Sequence, residues 1–219
     1  MARGINVEGR GVTVTGRGVN VGIVGPSWEE IDRFDTFNKG WREDVSRYSV
    51  DNSTFWEGTG SLVNTTGDYS TLESGPGDGL PNYFPKGYEL RGFTRHGSIG
   101  SISDSFLYVA MDTVNDEYVR LRMEMGDGHF DLQEVGSNIS STADVSYSFA
   151  GATFYEFRVL RYDNSDIVAK IREAGSSDAW ATTSMNAPYF DSFEGLQLLN
   201  ENTNNADVHW DGLERRLIQ

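Results

Sequence analysis

Residues 117–135, EYVRLRMEMGDGHFDLQEV, decide the fold class. Every second residue from Val119 to Met125 is apolar, and the residues between them are polar or aromatic. This period of two is that of a strand with one buried side and one solvent-facing side. Gly126-Asp-Gly is typical of a hairpin turn, and Phe130 and Leu132 continue the buried side in a second strand. The stretch therefore predicts an antiparallel hairpin.

Neighbouring segments extend the pattern. Ser105–Met111 is apolar on both faces, as expected of a central strand that is covered on both sides. Residues 155–159 and 167–171 alternate on either side of the turn Asp163–Asp166. No segment has a long helical period. Short strands separated by regular turns predict an all-β sandwich or barrel.

The composition fits one sizeable β domain. The 219 residues are 37% apolar and 12% aromatic, which suffices for a packed core. Cysteine is absent, which excludes disulfides, thiolate zinc sites and cysteine nucleophiles. No apolar run approaches the roughly 18–20 residues of a membrane span, and the N-terminus lacks the apolar region of a signal peptide. We therefore expect neither membrane insertion nor export by that route.

The net charge of −15 is unevenly placed. Arg3, Arg10 and Arg17 against Glu8 give residues 1–25 a balance of +2, so the remainder carries −17. Phosphate contacts need clustered cations, so nucleic acid is not an expected partner. The three lysines against fifteen arginines, with abundant acidic residues, resemble the composition of proteins from salt-loving archaea. An ordinary acidic protein is the alternative, because net charge concerns solubility and not fold.

The N-terminal 25 residues contain three near-copies of a seven-residue unit, which begin at Arg3, Arg10 and Arg17. Each unit has two apolar residues at the spacing of a half-buried strand. These are Ile5 and Val7, Val12 and Val14, and Val19 and Val21. Isolated hairpins are marginal in water, so we predict that residues 1–25 form a β arm for homo-oligomerisation or docking, before a head of residues 26–219. The alternative is that the arm adds a strand to the chain's own sheet.

Several segments of the head carry a family resemblance. Tyr155–Gly175 has an aromatic-rich strand, a short acidic turn and an I-x-A-x-I strand, and Phe193–Asn200 with Val208–Leu213 look like a closing strand pair. Leu80–Tyr88 resembles the loop that enters an earlier core strand. Over about residues 30–216 the chain resembles the concanavalin A-like, laminin G-like jelly rolls, in variants found in haloarchaea and their tailed viruses. The resemblance implies a lectin-like jelly-roll β-sandwich.

Because that group includes glucanases, an enzyme has to be considered. Their retaining members use the pattern E-x-D-x-x-E, which places two carboxyls about 5 Å apart. Neither Glu124-Met-Gly-Asp127 nor Asp131-Leu-Gln-Glu134 fits it. Asp131 and Glu134 are three residues apart and should lie on opposite faces of a strand. We therefore expect no enzyme.

Metal binding has one candidate. His96, His129 and His209 are too scattered in sequence to suggest a metal triad. Laminin G-like domains often bind calcium at a sandwich edge, so the resemblance implies calcium and no other cofactor. Oxygen-rich runs supply the candidate ligands Asp163, Asp166 and Asp207. Asn and Asp clusters are also ordinary turn chemistry, which is the favoured explanation because none of these runs has a defined ligand spacing.

A lectin would stack sugars on aromatic side chains carried by loops. The candidates are Tyr83, Phe84, Trp180 and Tyr189. Sequons at Asn52, Asn64 and Asn138 are candidate N-glycosylation sites.

Together these features predict a non-enzymatic structural protein of a haloarchaeal virus, made in the host cytoplasm and displayed at the particle surface. The arm would join it to further copies and to other virion proteins in a spike, turret or tail fibre, and the head would bind a host surface glycan. The alternatives are a cell-surface carbohydrate-binding module and a glycoside hydrolase.

Overall fold

The computed structural model describes residues 26–36, 41–43, 45–64, 70–74, 84–112, 115, 117–136, 139–191, 195–202 and 207–218, and this part of the chain is almost entirely β. Two short 3-10 turns cover Val45–Arg47 and Pro188–Phe190. The strands are β1 (Glu29–Asp32), β2 (Arg42–Glu43), β3 (Tyr48–Asp51), β4 (Ser61–Asn64), β5 (Ser70–Ser74), β6 (Tyr88–His96), β7 (Ser103–Asp112), β8 (Glu117–Glu124), β9 (His129–Gly136), β10 (Ile139–Ser146), β11 (Tyr155–Arg161), β12 (Asp166–Glu173), β13 (Ala181–Asn186), β14 (Leu196–Asn202) and β15 (Val208–Leu217).

The strands form two antiparallel sheets. The eight-stranded sheet has the order β13-β12-β11-β6-β15-β4-β3, with β1 also paired to β15, and the seven-stranded sheet has the order β10-β9-β8-β7-β14-β5-β2. The predicted jelly-roll β-sandwich is therefore confirmed. The predicted arm, residues 1–25, lies outside the described residues. Among the residues that the structure does describe, no helix has the length and hydropathy of a membrane span.

The core lies between the sheets and follows the alternation in the sequence. Val119, Leu121 and Met123 of β8 are completely buried. From the other sheet, Phe157 of β11 meets Trp210 of β15 edge-on, with ring centroids 5.9 Å apart. Aromatic pairs in this geometry contribute about 0.5–1.5 kcal/mol beyond the apolar area that they bury.

Strand β15 changes partner on one of its two edges, while β6 stays paired along the other. On the changing edge it pairs with β4 as far as Trp210 and with β1 from Leu213 onwards. The break is a bulge at Gly212, whose φ of +57° lies in the left-handed region that favours glycine. The bulge leaves room for the loop of residues 52–60 to reach the outer face of the eight-stranded sheet, where Asp211 accepts hydrogen bonds from the backbone N–H groups of Trp56 and Glu57.

A buried polar chain links the two sheets through the core. His96 of β6 contacts the Ser105 hydroxyl of β7 at 2.8 Å. The Ser105 hydroxyl donates to the side-chain oxygen Oδ1 of Asn200, in β14, at 3.4 Å, and the Trp210 indole N–H donates to the same oxygen at 2.9 Å. Because buried polar groups cost free energy unless they are hydrogen-bonded, this chain fixes how the sheets pack.

Arg161, at the end of β11, is 2% exposed and also joins the sheets. Its guanidinium donates to the backbone carbonyls of Phe84, Val109 and Phe190, the last two at 3.2 and 3.0 Å. The pairing of β7 with β8 skips Val109. Arg161 therefore satisfies a carbonyl at an irregular point of the opposite sheet, together with the carbonyls of two connecting segments.

Candidate functional site

The outer face of the seven-stranded sheet carries a row of polar side chains that crosses five strands. Strand pairing places Gln197, Tyr108, Arg120, Gln133 and Thr142 opposite one another, on β14, β7, β8, β9 and β10. Side chains of directly opposed residues point to the same face of a sheet, and adjacent strands lie about 4.8 Å apart. We call these five residues the polar row.

Aromatic rings lie beneath and beside the centre of this row. Phe106, Tyr108 and Leu199 form a small buried cluster that is separate from the main core. The rings of Tyr108 and Tyr118 meet edge-on at 4.7 Å. The Arg120 guanidinium lies 4.4 Å from the Phe106 ring centroid, which is cation–π contact. Outward-facing rings explain why the sequence of β7 is apolar on both faces.

Charged side chains lie next to the polar row. Arg122 of β8 contacts Glu124 at 2.9 Å and Asp131 of β9 at 2.8 Å. The Asp131 side chain is completely buried, and its Oδ1 has no hydrogen-bond partner among the described residues. Burial raises the pKa of this carboxyl. A buried acceptor without a donor costs about 1–3 kcal/mol, so the ion pair with Arg122 is what makes this buried carboxylate tolerable.

We refer to the polar row and these neighbours as the arginine–tyrosine face. Its members are Phe106, Tyr108, Tyr118, Arg120, Arg122, Asp131, Gln133, Thr142 and Gln197. Tyr118, Arg120 and Gln133 are partly exposed and sit above the buried rings. The face can therefore present ring edges, an amide, a hydroxyl and a guanidinium to a hydroxyl-rich molecule.

The aromatic residues predicted to bind sugar do not form one site. Phe84 is completely buried and packs in the core, so its prediction as a sugar-stacking residue is wrong. Two guanidinium groups lie over the Trp180 ring, those of Arg158 and Arg172 at 4.9 and 4.2 Å. Tyr83 lies outside the described residues.

Tyr189 is the most accessible of the three predicted aromatics that can be placed, with 48% of its surface exposed. Its hydroxyl donates to Glu117, and its ring packs edge-on against Phe190 at 5.0 Å. Trp180 and Tyr189 flank opposite ends of β13. A six-residue strand is roughly 20 Å long, so the two side chains cannot both contact the same sugar ring.

The predicted calcium ligands are also separated. Asp163 and Asp166 line an open pocket of about 530 Å³ whose other lining residues include Ile218. Asp207 precedes β15 and Ile218 follows it, and a ten-residue strand is roughly 33 Å long. Asp207 therefore does not lie together with Asp163 and Asp166 at one site. Among the described residues, no group of three or more His, Cys, Asp or Glu side chains could hold a metal ion.

The oxygen-rich turn itself is explained by local hydrogen bonds. Asp166 Oδ2 accepts from the Asn164 amide at 2.7 Å, and Asp166 Oδ1 accepts from the Asn186 amide at 2.9 Å. Both carboxylate oxygens are therefore already engaged. This is the turn chemistry that the sequence analysis named as the alternative to calcium.

The sequons differ in accessibility. Asn52 is exposed on the loop of residues 52–60. Asn64 is completely buried in β4, so a glycan cannot be attached there in the folded protein, and that prediction is wrong. Asn138 lies outside the described residues.

The carboxylates of β9 are arranged as the sequence predicted. Asp131 lies opposite Arg122 on the outer face. Glu134 lies opposite the core residue Val119 on the other face, where it accepts a hydrogen bond from Ser141 at 3.0 Å. The two carboxylates cannot act in one cleft, because alternate residues of a strand point to opposite faces.

The sequence analysis did not identify the arginine–tyrosine face as a site. The usable signal was that Tyr118, Arg120 and Arg122 occupy alternate positions in one strand, although only the pairing with β7 and β9 shows their neighbours. It also missed an aromatic surface on the opposite sheet. There Phe55 and Trp56 are 39% and 43% exposed.

The Trp56 loop is held by buried and exposed carboxylates. Asp211 accepts the Trp56 and Glu57 N–H groups through Oδ2, and its Oδ1 has no hydrogen-bond partner among the described residues. Burial raises the pKa of Asp211 to about 6. Asp35 accepts from the Thr59 N–H and hydroxyl, and the N–H bond is the main cause of its lowered pKa.

Comparison with known proteins bears on the fold. No protein-family model matches this sequence, and no curated protein sequence matches it. Among solved structures, the CBM2 module of the evolved Dit of Lactobacillus casei BL23 phage J-1 is 8% identical with a TM-score of 0.57, over 90% of this chain and 99% of that one. The fold is that of the concanavalin A-like jelly rolls.

Two further structures show the breadth of this fold. The exoplasmic/lumenal domain of VIP36, in a Ca²⁺- and Man2-bound form, is 7% identical with a TM-score of 0.60, over 87% of each chain. A Bacteroides ovatus mixed-linkage glucan GH16 protein, in complex with its product, is 10% identical with a TM-score of 0.59, over 84% of this chain and 98% of that one. Binding proteins and a glycoside hydrolase thus share the architecture, so function must be argued from the residues of this chain.

Proposed function

We propose that this protein binds carbohydrate without catalysis, through the arginine–tyrosine face. The observation that carries the proposal is the polar row, in which five hydrogen-bonding side chains lie side by side on the outer face of one sheet. Sugar hydroxyls both donate and accept, so a binding face needs groups of both kinds. Gln133 and Gln197 offer amides, which donate and accept, Tyr108 and Thr142 offer hydroxyls, and Arg120 is a donor.

Two further features support this proposal. The rings under the row are held by edge-on contacts and by Arg120, so the polar groups above them are preorganised. A glycoside hydrolase would need two carboxylates beside one scissile bond. On this face Asp131 and Glu124 share the same arginine, Arg122, which favours the binding function.

Binding assays on variants of the face test the proposal. We expect the wild-type chain to bind members of a glycan array. Tyr118→Ala and Gln133→Ala should each raise the dissociation constant about tenfold, because each removes a contact worth roughly 1.4 kcal/mol. The measurement is isothermal titration calorimetry with the best array ligand. Ser184→Ala, at an exposed position on the other sheet, should bind like wild type. If no glycan binds, or if both variants bind as tightly as wild type, the proposal is wrong.

The proposed setting is the surface of a virus particle whose host is a salt-loving archaeon. It is supported by the seven-residue repeat of residues 1–25, by the acidic composition with few lysines, and by the likeness of the head to a module of a phage Dit. The head would attach the particle to a host surface glycan, and the arm would join copies of the chain to each other and to other virion proteins. A cell-surface carbohydrate-binding module is the alternative setting for the same binding face.

Deleting residues 1–25 tests the role of the arm. We expect the shortened chain to be a folded monomer, because the sandwich has its own core, and the full chain to form oligomers held by the arm. Sedimentation velocity of both chains over a range of salt concentrations measures this difference. Identical sedimentation of the two as monomers would exclude self-assembly through the arm.

A further inference from the structure

We infer that the arginine–tyrosine face recognises an acidic saccharide, whose carboxylate is bound by Arg120. This inference rests on the proposed function and names the class of its ligand. The residue that carries it lies at the centre of the polar row and has neutral partners throughout. Arg120 Nε donates to Gln133 at 2.8 Å, and Nη1 donates to the Tyr108 hydroxyl at 3.0 Å.

The other arginines of the described residues show how unusual this is. At least seven of them have a carboxylate within 4.0 Å, and among the described residues Arg120 has none. These include Arg33, Arg91, Arg122, Arg158, Arg172, Arg215 and Arg216. Arg161 is buried among backbone carbonyls, and Arg95 lies on the opposite sheet over the Phe154 ring. In a chain of net charge −15, an arginine without a carboxylate at the centre of a sheet face is a site for an anion.

The two terminal nitrogens of the Arg120 guanidinium, Nη1 and Nη2, still have N–H groups available for a ligand. Of its five N–H groups, one on Nε and one on Nη1 are used. The remaining three are on Nη1 and Nη2, the end of the fork that binds a carboxylate through two parallel hydrogen bonds. The rings of Phe106, Tyr118 and Tyr108 lie 4.4, 5.2 and 5.6 Å from the guanidinium carbon. They displace water from one side of the cation and so strengthen its attraction for an anion.

The neighbouring residues select a saccharide over a simple anion. Asp131 lies two residues from Gln133 along β9, about 7 Å away, and its buried carboxylate would repel a second anionic group bound near it. Arg122 is already bound to Glu124 and Asp131. A ligand that fits this face therefore has one carboxylate for Arg120 and hydroxyls for the accessible neutral members of the polar row, Gln133 and Thr142. Hexuronic acids have both groups.

The negative charge of the whole chain does not prevent this contact. Charges more than a Debye length away are largely screened, and that length is about 8 Å at physiological ionic strength and about 3 Å at 1 M salt. The bidentate contact to Arg120 is made within hydrogen-bond distance. We therefore expect the preference for acidic ligands to persist at molar salt, where repulsion from the distant carboxylates is smallest.

The test uses matched pairs of hexose and hexuronic acid trisaccharides, with galactose, glucose and mannose backbones, titrated into the full chain by calorimetry. We expect at least one hexuronic acid trimer to bind at least tenfold more tightly than its neutral counterpart. Arg120→Gln should remove this preference, and Arg120→Lys should retain part of it, because lysine keeps the charge but not the fork. Ser184→Ala should keep it in full, and circular dichroism should show each variant folded.

The outcomes separate the two proposals. Wild-type binding to neutral trimers with equal or greater affinity would overturn the acidic ligand and leave carbohydrate binding intact. An acidic preference that survives Arg120→Gln would overturn the role of Arg120. If the chain binds no member of the pairs and no glycan on the array, the proposed function itself is wrong.

Discussion

Replacing Arg161 with methionine is expected to lower the free energy of unfolding by roughly 3–5 kcal/mol. The substitution keeps most of the apolar volume but removes the guanidinium donors to three backbone carbonyls, those of Phe84, Val109 and Phe190. Each buried acceptor left without a donor costs about 1–3 kcal/mol. The carbonyls belong to the opposite sheet and to two connecting segments, so the Arg161 side chain, carried by the eight-stranded sheet, holds that end of the sandwich together.

Urea unfolding monitored by tryptophan fluorescence measures this effect. Arg33→Met is the matched control, because Arg33 is 46% exposed and its ion pairs lie at the surface, where such pairs contribute at most about 1 kcal/mol. Arg161→Lys should fall between wild type and Arg161→Met, since lysine reaches some of the carbonyls with fewer donors. A loss below 1 kcal/mol in Arg161→Met would contradict the structural role given to this residue.

Acidification from pH 7 to pH 5 is expected to lower the free energy of unfolding by roughly 2–3 kcal/mol, the net of a loss from two buried histidines and a smaller gain from Asp211. Burial lowers the pKa of His96 to about 3 and that of His209 to about 4, against about 6.5 in an unfolded chain. Between those values the unfolded state binds protons that the folded state does not. Stability is therefore lost as the pH falls below about 6.5, by about 2 kcal/mol for each histidine at pH 5.

Asp211 acts in the opposite direction. Burial raises its pKa to about 6, so the folded state binds this proton more tightly than the unfolded state does. Its contribution to stability is complete below about pH 4 and is lost as the pH rises through about 6, so acidification to pH 5 returns about 1 kcal/mol. In Asp211→Asn this compensation is absent, and we expect the variant to lose about 4 kcal/mol over the same pH range.

Urea titrations at pH 7, 6 and 5 and constant ionic strength test this pair of expectations. The lower limit of pH 5 keeps the chain above its sequence pI of about 4.5. Wild-type stability that is unchanged or increased at pH 5 would show that the two histidines do not remain neutral in the folded protein. Equal losses in wild type and Asp211→Asn would show that Asp211 does not bind a proton in this range.

The fold was predictable because alternation is a local property. The alternation of Val119, Leu121 and Met123 predicts the buried side of β8, and all three are completely buried in the structure. Arg161 was not predictable in the same way. It continues the inward series Tyr155, Phe157 and Val159, and only the irregular carbonyls of other segments explain why a cation ends that series.

The site was less predictable because it depends on register. Tyr108, Arg120 and Gln133 belong to three different strands, and the sequence of one strand does not show which residue of the next lies opposite. Phe84 misled the analysis for a related reason. Its glycine- and proline-rich surroundings predict a loop, but the ring of a loop residue can still enter the core, as this one does. Likewise, a sequon such as that of Asn64 shows a chemical pattern and not its accessibility.

The polar row also determines how the ligand preference of this chain can change. Each of its five positions lies on a different strand and points away from the core between the sheets. A substitution at an exposed position of the row therefore replaces one ligand contact and leaves the packing between the sheets unaltered. Tyr108, Arg120 and Gln133 are hydrogen-bonded to one another, so substitutions among them affect one another. Gln197 and Thr142, at the two ends, are four strand spacings or about 19 Å apart, beyond the distance at which mutational effects usually couple. Specificity can thus change independently at the two ends of the row, at little cost to folding.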